Sequence, residues 1–162
     1  MNAGAITVRE ATAEDVETAR QLFREYAAWL GVDLGFQSFD EELTSLPGPY
    51  VRPHGFILLA ETENRIVGCV ALKALAEGVA EAKRLYVLEE YRSQGIGRRL
   101  MAALIAAARE IGYWAIRLDT LPQMTAARAL YEMLGFRPIA PYYYNPIAGT
   151  AYMELVLDSR SG

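Results

Sequence analysis

Apolar residues recur along this chain with two different periods, and each change of period marks an element. Ile6 and Val8 alternate with polar neighbours as a short strand does. Thr12, a residue type whose hydroxyl caps helix starts, then precedes Val16, Ala19, Leu22, Phe23, Tyr26 and Leu30 at helical spacing, with Gly31 as the stop. Residues 32–55 are loop-rich, carrying Gly35, Pro47, Gly48, Pro49 and Pro53 around one short helical stretch at 39–46. Apolar runs at 56–62 and 66–74, parted by the turn-forming Glu63, Asn64 and Arg65, predict a β-hairpin.

The second half repeats a simpler unit. A strand over 79–87 meets Gly95-Ile96-Gly97, which opens into a run with Ile96, Leu100, Leu104 and Ile111 on one helical face, ending near Glu110 with Gly112 behind it. Another strand over 115–120, a helix over 124–134 behind Pro122, and strands over 137–140 and 151–157 complete the chain. A mostly antiparallel front half joined to a strand-helix-strand unit, with helices on both faces, is an α+β, mixed-sheet plan. At 162 residues and 52% hydrophobic content the chain fits one domain, 1–162, with a sizeable core.

The glycine turn carries the first chemistry. Gly95 and Gly97 lack Cβ atoms and let a ligand approach the backbone, while the first N–H groups of the helix point outward as donors. Arg92, Arg98 and Arg99 add full positive charges to the partial charge of the helix end, so the turn is an anion site suited to phosphate or pyrophosphate. Gly97-Arg98-Arg99 lacks the Lys-Ser/Thr of a P-loop, and Leu100 stands where a dinucleotide fingerprint needs its third glycine.

Arg92-x-x-Gly95-x-Gly97 after a strand resembles the coenzyme A pyrophosphate loop of the GNAT acetyltransferase superfamily. Downstream, Ala129-Leu130-Tyr131-Glu132-Met133-Leu134-Gly135-Phe136 resembles its second signature, a helix ending at Gly-Phe. The resemblance extends over nearly the whole chain. It implies a GNAT-like fold in which the strands over 79–87 and 115–120 run parallel and splay apart to take the pantetheine arm of acetyl-CoA. The arm would pair with the backbone at Leu85 and Val87 as a missing strand neighbour does. The pyrophosphate would lie against Arg92, Ser93, Gln94, Gly95, Ile96, Gly97 and Arg98, and the backbone N–H of Leu85 or Tyr86 would face the oxyanion.

The resemblance also implies an N-acetyltransferase passing acetyl directly to a small-molecule or peptide amine in a ternary complex. The alternative is a non-catalytic acyl-CoA-binding module. Tyr131 is the implied acid for the departing thiolate, against a plain core tyrosine packed with Leu130 and Leu134. Glu81 is the candidate base; strand alternation puts it on one face with Lys83 and Leu85, so a surface salt bridge to Lys83 is the competing reading. Met124 stands where many members carry an asparagine that contacts the arm, so that contact is not carried over. Two groups of rings stay open between acceptor cleft and filler: Phe36, Phe39 and Tyr50, and Tyr142, Tyr143 and Tyr144.

Net charge of −4 and a pI near 5.1 give no basic footprint for nucleic acid. Cys69 is the single cysteine and His54 the single histidine, which excludes an internal disulfide and leaves no metal-ligand spacing. Cys69 inside a strand reads as a buried, inert thiol. No run reaches the roughly 20 apolar residues of a membrane span, so a cytoplasmic protein is expected, with no membrane partner. Homodimers form through several surfaces in the superfamily, and no feature here selects one.

Overall fold

A computed structural model of the chain describes residues 5–35 and 38–157. Seven strands form one sheet: β1 (Thr7–Glu10), β2 (Phe56–Thr62), β3 (Arg65–Ala76), β4 (Val79–Val87), β5 (Ala115–Thr120), β6 (Arg137–Ile139) and β7 (Ala151–Val156). Their order is β1-β2-β3-β4-β5-β7-β6, antiparallel throughout except for the parallel pair β4–β5. Among the described residues four α-helices accompany them: α1 (Val16–Leu30), α2 (Phe39–Ser45), α3 (Ile96–Ile111) and α4 (Thr125–Met133).

The helices take the faces that their apolar stripes dictate. Tyr86 of β4 meets Tyr26 of α1 edge to face at 6.3 Å. Its neighbour Val87 pairs with Gly68, and a side chain at Gly68 would run into Leu100 of α3. Adjacent strand residues point to opposite faces, so α1 and α3 lie on opposite sides of the sheet. Ala19, Leu22, Phe23, Tyr26 and Leu30 are the buried stripe of α1, and Ile96, Leu100, Met101, Leu104, Ile105 and Ala108 that of α3.

Most elements match the apolar pattern to within two residues. At the first helix, Thr12 opens a single 3₁₀ turn, Ala13–Asp15, before α1, because the Asp15 carboxylate folds back onto the Thr12 N–H (2.7 Å) and is gripped by Arg9 (2.8 Å).

Cys69 is fully buried in β3 with its S–H directed at the Arg84 carbonyl (3.3 Å), and burial pushes its thiol up to about 12. The native protein should therefore resist iodoacetamide at pH 8 and react stoichiometrically in denaturant, as mass spectrometry would read; rapid native labelling would contradict the buried environment.

Candidate active site

Two features of β4 create the site, and both begin with its pairing. β4 pairs with β5 only at Val79↔Ala115, Ala80↔Ile116 and Glu81↔Arg117, after which the strands diverge. From Ala82 onward the β5-facing edge of β4 has no described strand beside it, so its backbone groups on that edge are available to an extended ligand.

The second feature is a bulge. Ala71 pairs with Lys83 but Cys69 with Tyr86, so two steps on β3 oppose three on β4, and Arg84 takes a left-handed φ of 65°. The extra residue resets the alternation. Lys83 and Tyr86 share a face while Leu85 turns to the other, so the expected shared face of Glu81, Lys83 and Leu85 ends at Lys83.

A non-glycine residue at such a φ costs on the order of 1–3 kcal/mol and persists where its surroundings over-determine it. Here the Arg84 guanidinium is clamped by Glu42 of α2, Nε to Oε2 at 2.9 Å and Nη2 to Oε1 at 2.8 Å, and lies over the rings of Phe39 (5.1 Å) and Tyr26 (5.8 Å). Phe39 and Tyr50, which packs on Phe23 at 6.1 Å, are buried and line neither cavity described below; Tyr50 borders a separate one with Leu46, Pro47 and Phe56. Phe36 lies outside the described residues.

At the head of α3 the glycine turn has the form its sequence implies. Ser93 (φ 67°) and Gly95 (φ 78°) are both left-handed, and the first helical bond runs from the Arg99 N–H to the Gly95 carbonyl at 3.1 Å. The amides of Ile96, Gly97 and Arg98 precede it and have no partner within the helix. Ile96 and Gly97 border a cavity of about 370 Å³, whose walls also include Leu85, Tyr86, Val87, Arg92, Ser93 and Gly95 with Ala127 and Leu130 of α4. A Cβ on Gly97 would meet only Leu130 at 3.7 Å, an ordinary contact, so the room beside Gly97 belongs to the cavity.

Arg92 is held by the Val87 carbonyl (2.8 Å) and stacks over Trp29 (4.7 Å) and Tyr86 (5.5 Å), which fixes it as a wall beside the turn. Arg98 is exposed, 3.9 Å from the Met133 sulfur. Trp29, 45% exposed on α1, also lines this cavity, and nothing in its own stretch of sequence marks it, because Arg92 and Tyr86 reach it from 57 or more residues away.

Leu85 links this cavity to a second, smaller one of about 20 Å³ at the splay, lined by Tyr26, Lys83, Leu85, Asp119, Met124 and Tyr131 among others. Tyr131, 4% exposed on α4, packs on Phe136 at 5.7 Å and also faces this cavity, so it is both a core ring and a cleft residue. Burial, with Tyr26 and Asp119 adding to it, raises Tyr131 well above the ordinary phenol value. Lys83 is lowered by burial and by the charge of Arg84. Met124 is buried and its sulfur accepts the Leu121 N–H at 3.5 Å, closing the turn before α4 upon itself.

Glu81 is buried rather than part of a surface bridge. Its Oε1 is 3.8 Å from Lys73, its cross-strand partner, and its Oε2 accepts the Tyr142 hydroxyl at 2.8 Å. Asp119 accepts the Tyr143 hydroxyl and the Asn145 amide, and Tyr142, Tyr143 and Tyr152 pack ring against ring at 5.3–5.5 Å. The loop between β6 and β7 is thus pinned over the splay by two carboxylates. Tyr144, 81% exposed, takes no part in that packing. Asp119 lines the smaller cavity, a placement that periodicity does not reveal, since one acidic residue in a strand reads as an ordinary polar position.

A mixed sheet whose one parallel pair splays beside a glycine-headed helix defines a class of acyl-transfer folds. Residues 16–136 match the Acetyltransferase (GNAT) family, and the chain belongs to it. An uncharacterised N-acetyltransferase of Schizosaccharomyces pombe is 38% identical, with 90% of each chain covered. The uncharacterised N-acetyltransferase YjgM of Escherichia coli is 28% identical over 82% of each. Among solved structures, an acyl-CoA N-acyltransferase candidate from Klebsiella pneumoniae superposes with a TM-score of 0.76 at 30% identity, covering 97% of this chain and all of that one. The Salmonella typhimurium protein yncA, solved with acetyl-CoA, shares the fold at a TM-score of 0.70 and 21% identity, over 98% of both chains.

Proposed function

We propose that the chain transfers an acetyl group from acetyl-CoA directly to an amine, both substrates being bound together. The observation that carries this is the meeting of the two cavities at Leu85: the glycine-turn head of α3 and the cleft before Tyr131 lie along one unpaired edge of β4. The residues fit the group. Gly95 and Gly97 leave room, the Ile96, Gly97 and Arg98 amides supply donors for pyrophosphate, and the backbone at Leu85 and Val87 offers the arm a strand neighbour. The co-crystallised acetyl-CoA of the Salmonella protein supports the same cosubstrate.

Acetyl-CoA supplies an activated thioester; the protein's own groups do the rest. The backbone N–H of Leu85, on the open edge of β4, stabilises the oxyanion, whereas that of its neighbour Tyr86 faces β3. Tyr131, kept protonated well above pH 10 by its burial, gives its proton to the departing sulfur. An amine of pKa about 10.4 is neutral in only about one molecule in 2,500 at pH 7, so a proton must also leave the acceptor. Two carboxylates stand near the splay to accept it, Glu81, reached through the Tyr142 hydroxyl, and Asp119, which lines the cavity itself.

The test is thiol release from acetyl-CoA over a panel of alkylamines, amino acids, aminoglycosides and peptide N-termini. Turnover of some panel amine is expected, and Tyr131→Phe should lower kcat about 100-fold while leaving the Kd for acetyl-CoA unchanged. Binding without any turnover would favour an acyl-CoA-binding module, and a Tyr131→Phe rate within a few-fold of wild type would remove the tyrosine from the mechanism.

A further inference from the structure

Asp119 lies two residues beyond Arg117, the last β5 residue paired with β4, at the point where the strands separate. It lines the cavity shared by Tyr131 and Lys83, whereas Glu81 does not. Both hydrogen bonds it receives, from the Tyr143 hydroxyl and from the Asn145 Nδ2 at 3.3 Å, end on Oδ2. Its holders are themselves held: the Asn145 Oδ1 accepts the Ile147 N–H at 2.8 Å, and the Tyr143 carbonyl accepts the Tyr152 hydroxyl at 2.8 Å. One carboxylate oxygen is fixed by the loop, and among the described residues the other, Oδ1, accepts no hydrogen bond.

The surroundings of Asp119 are chosen from every side. Its negative charge is felt by Tyr26 of α1, Lys83 of β4, Tyr131 of α4, Tyr142 and Tyr143 of the β6–β7 loop, and Tyr152 of β7, each of which it raises. Five of these six are neutral phenols, and the sixth, Lys83, is an amine whose charged form burial disfavours. Arg84 also lines this cavity, but its guanidinium is paired with Glu42, so the half-buried Asp119, with one oxygen outside the loop's hydrogen bonds, is a seat for a cation that brings its own proton.

We propose that Asp119 is the catalytic carboxylate that receives the acceptor's ammonium group and takes its proton, with Tyr143 and Asn145 as positioning residues. The proposal rests on the acetyl-transfer reading above. The room before Asp119, about 20 Å³, is near that of one water molecule, which fits a primary ammonium on an unbranched carbon. Asp119 Oδ1 removes one ammonium proton, and the neutral nitrogen forms its bond to the acetyl carbon as the carbon–sulfur bond breaks. Tyr131 protonates the sulfur and is reprotonated from the amide nitrogen; Asp119 passes its proton to solvent. Amide, thiol and one proton are the products.

The experiment compares wild type, Asp119→Asn, Tyr143→Phe and Glu81→Gln at saturating acetyl-CoA, with the fastest primary amine of the panel and with hydroxylamine. Hydroxylamine is mostly neutral at pH 7 and has no ammonium proton to lose. Asp119→Asn should lose about 100-fold or more in kcat/KM with the amine at pH 7, recover as pH rises toward the amine's own pKa, and stay within a few-fold of wild type with hydroxylamine. Tyr143→Phe should show the same pattern at smaller amplitude, and acetyl-CoA binding should be unchanged in both. Equal losses with the two acceptors would make Asp119 a structural residue, and a hydroxylamine-sparing loss in Glu81→Gln instead would give the role to Glu81; either result overturns the proposal. Wild type that uses hydroxylamine but no amine overturns it while leaving acetyl transfer standing, and wild type that uses neither overturns both.

Discussion

Gly97→Trp should bind acetyl-CoA at least about 100-fold more weakly than wild type while melting at nearly the same temperature. The fold has no reason to object: Gly97 has an ordinary helical setting in the first turn of α3, and a Cβ there touches only Leu130 at 3.7 Å. Tryptophan is in fact a better helix residue than glycine by a few tenths of a kcal/mol. The indole can enter the 370 Å³ cavity that Gly97 lines, where it would cover the amides of Ile96 and Gly97. Losing two charge-assisted hydrogen bonds to an anion, each worth about 1.5–3 kcal/mol, accounts for a hundredfold or more. Isothermal titration calorimetry reads the affinity and differential scanning the fold. Gly97→Ala is the control: it should fold at least as well and keep most of the affinity. If Gly97→Trp bound as tightly as wild type, the anion site would have to lie elsewhere.

Glu42→Gln should destabilise the protein by about 3–5 kcal/mol at pH 7, because it leaves the Arg84 guanidinium buried without its counter-charge. The two side chains are 12% and 2% exposed, so solvent offers little screening. The buried charge is not the only thing at stake, since the clamp also holds Arg84 in its left-handed conformation and hence the bulge that turns Leu85 toward the cavities. Activity should therefore fall further than the fraction folded. Replacing the whole pair, Glu42→Leu with Arg84→Met, should recover much of the stability, as paired apolar substitutions of buried ion pairs often do. Urea unfolding measures all three; a Glu42→Gln cost below about 1 kcal/mol would mean that the pair is worth no more than a surface bridge.

The same pair sets an acid limb. Burial pushes the Glu42 carboxyl up, but the hydrogen bonds and charge of Arg84 outweigh it and leave the group below its ordinary value of 4.5. A depressed carboxylate contributes stability in full above its unfolded value, and that contribution is lost as pH falls through the lower folded value. Wild type should thus lose stability steadily below about pH 4.5, and Glu42→Gln should lack this part of the slope.

How much of this was legible in the residues follows from the range of each signal. The order of elements could be read because helical and strand periods are local, extending over a turn or a few residues; β4 and the head of α3 lie where those periods put them. The glycine turn could be read for the same reason, since a left-handed Gly95 and the amides behind it are made by neighbours in the chain. Leu130-Tyr131 could be placed on a helix ending at Gly135-Phe136, again by adjacency.

What lay beyond reach involves partners far apart. The bulge at Arg84 exists only in the register of β4 against β3, and its clamp comes from Glu42, 42 residues earlier. Alternation alone therefore carried Leu85 to the wrong face. Glu81 and Lys83 sit two residues apart, as a local salt bridge would have them, yet Glu81 is held by Lys73 across the hairpin and by Tyr142, 61 residues away. Whether Phe39 meets a cleft or the core could not be read until its ring was placed under the Arg84 guanidinium.

The chain by itself determined the elements, the acetyltransferase family and the glycine turn at the head of α3, because each is written in spacings short enough for neighbouring residues to enforce. Tertiary structure alone decided which carboxylate meets the cleft, which tyrosines cover it and where Leu85 points, because strand register and long-range side-chain pairing depend on how separate segments dock, and no period within a segment encodes that.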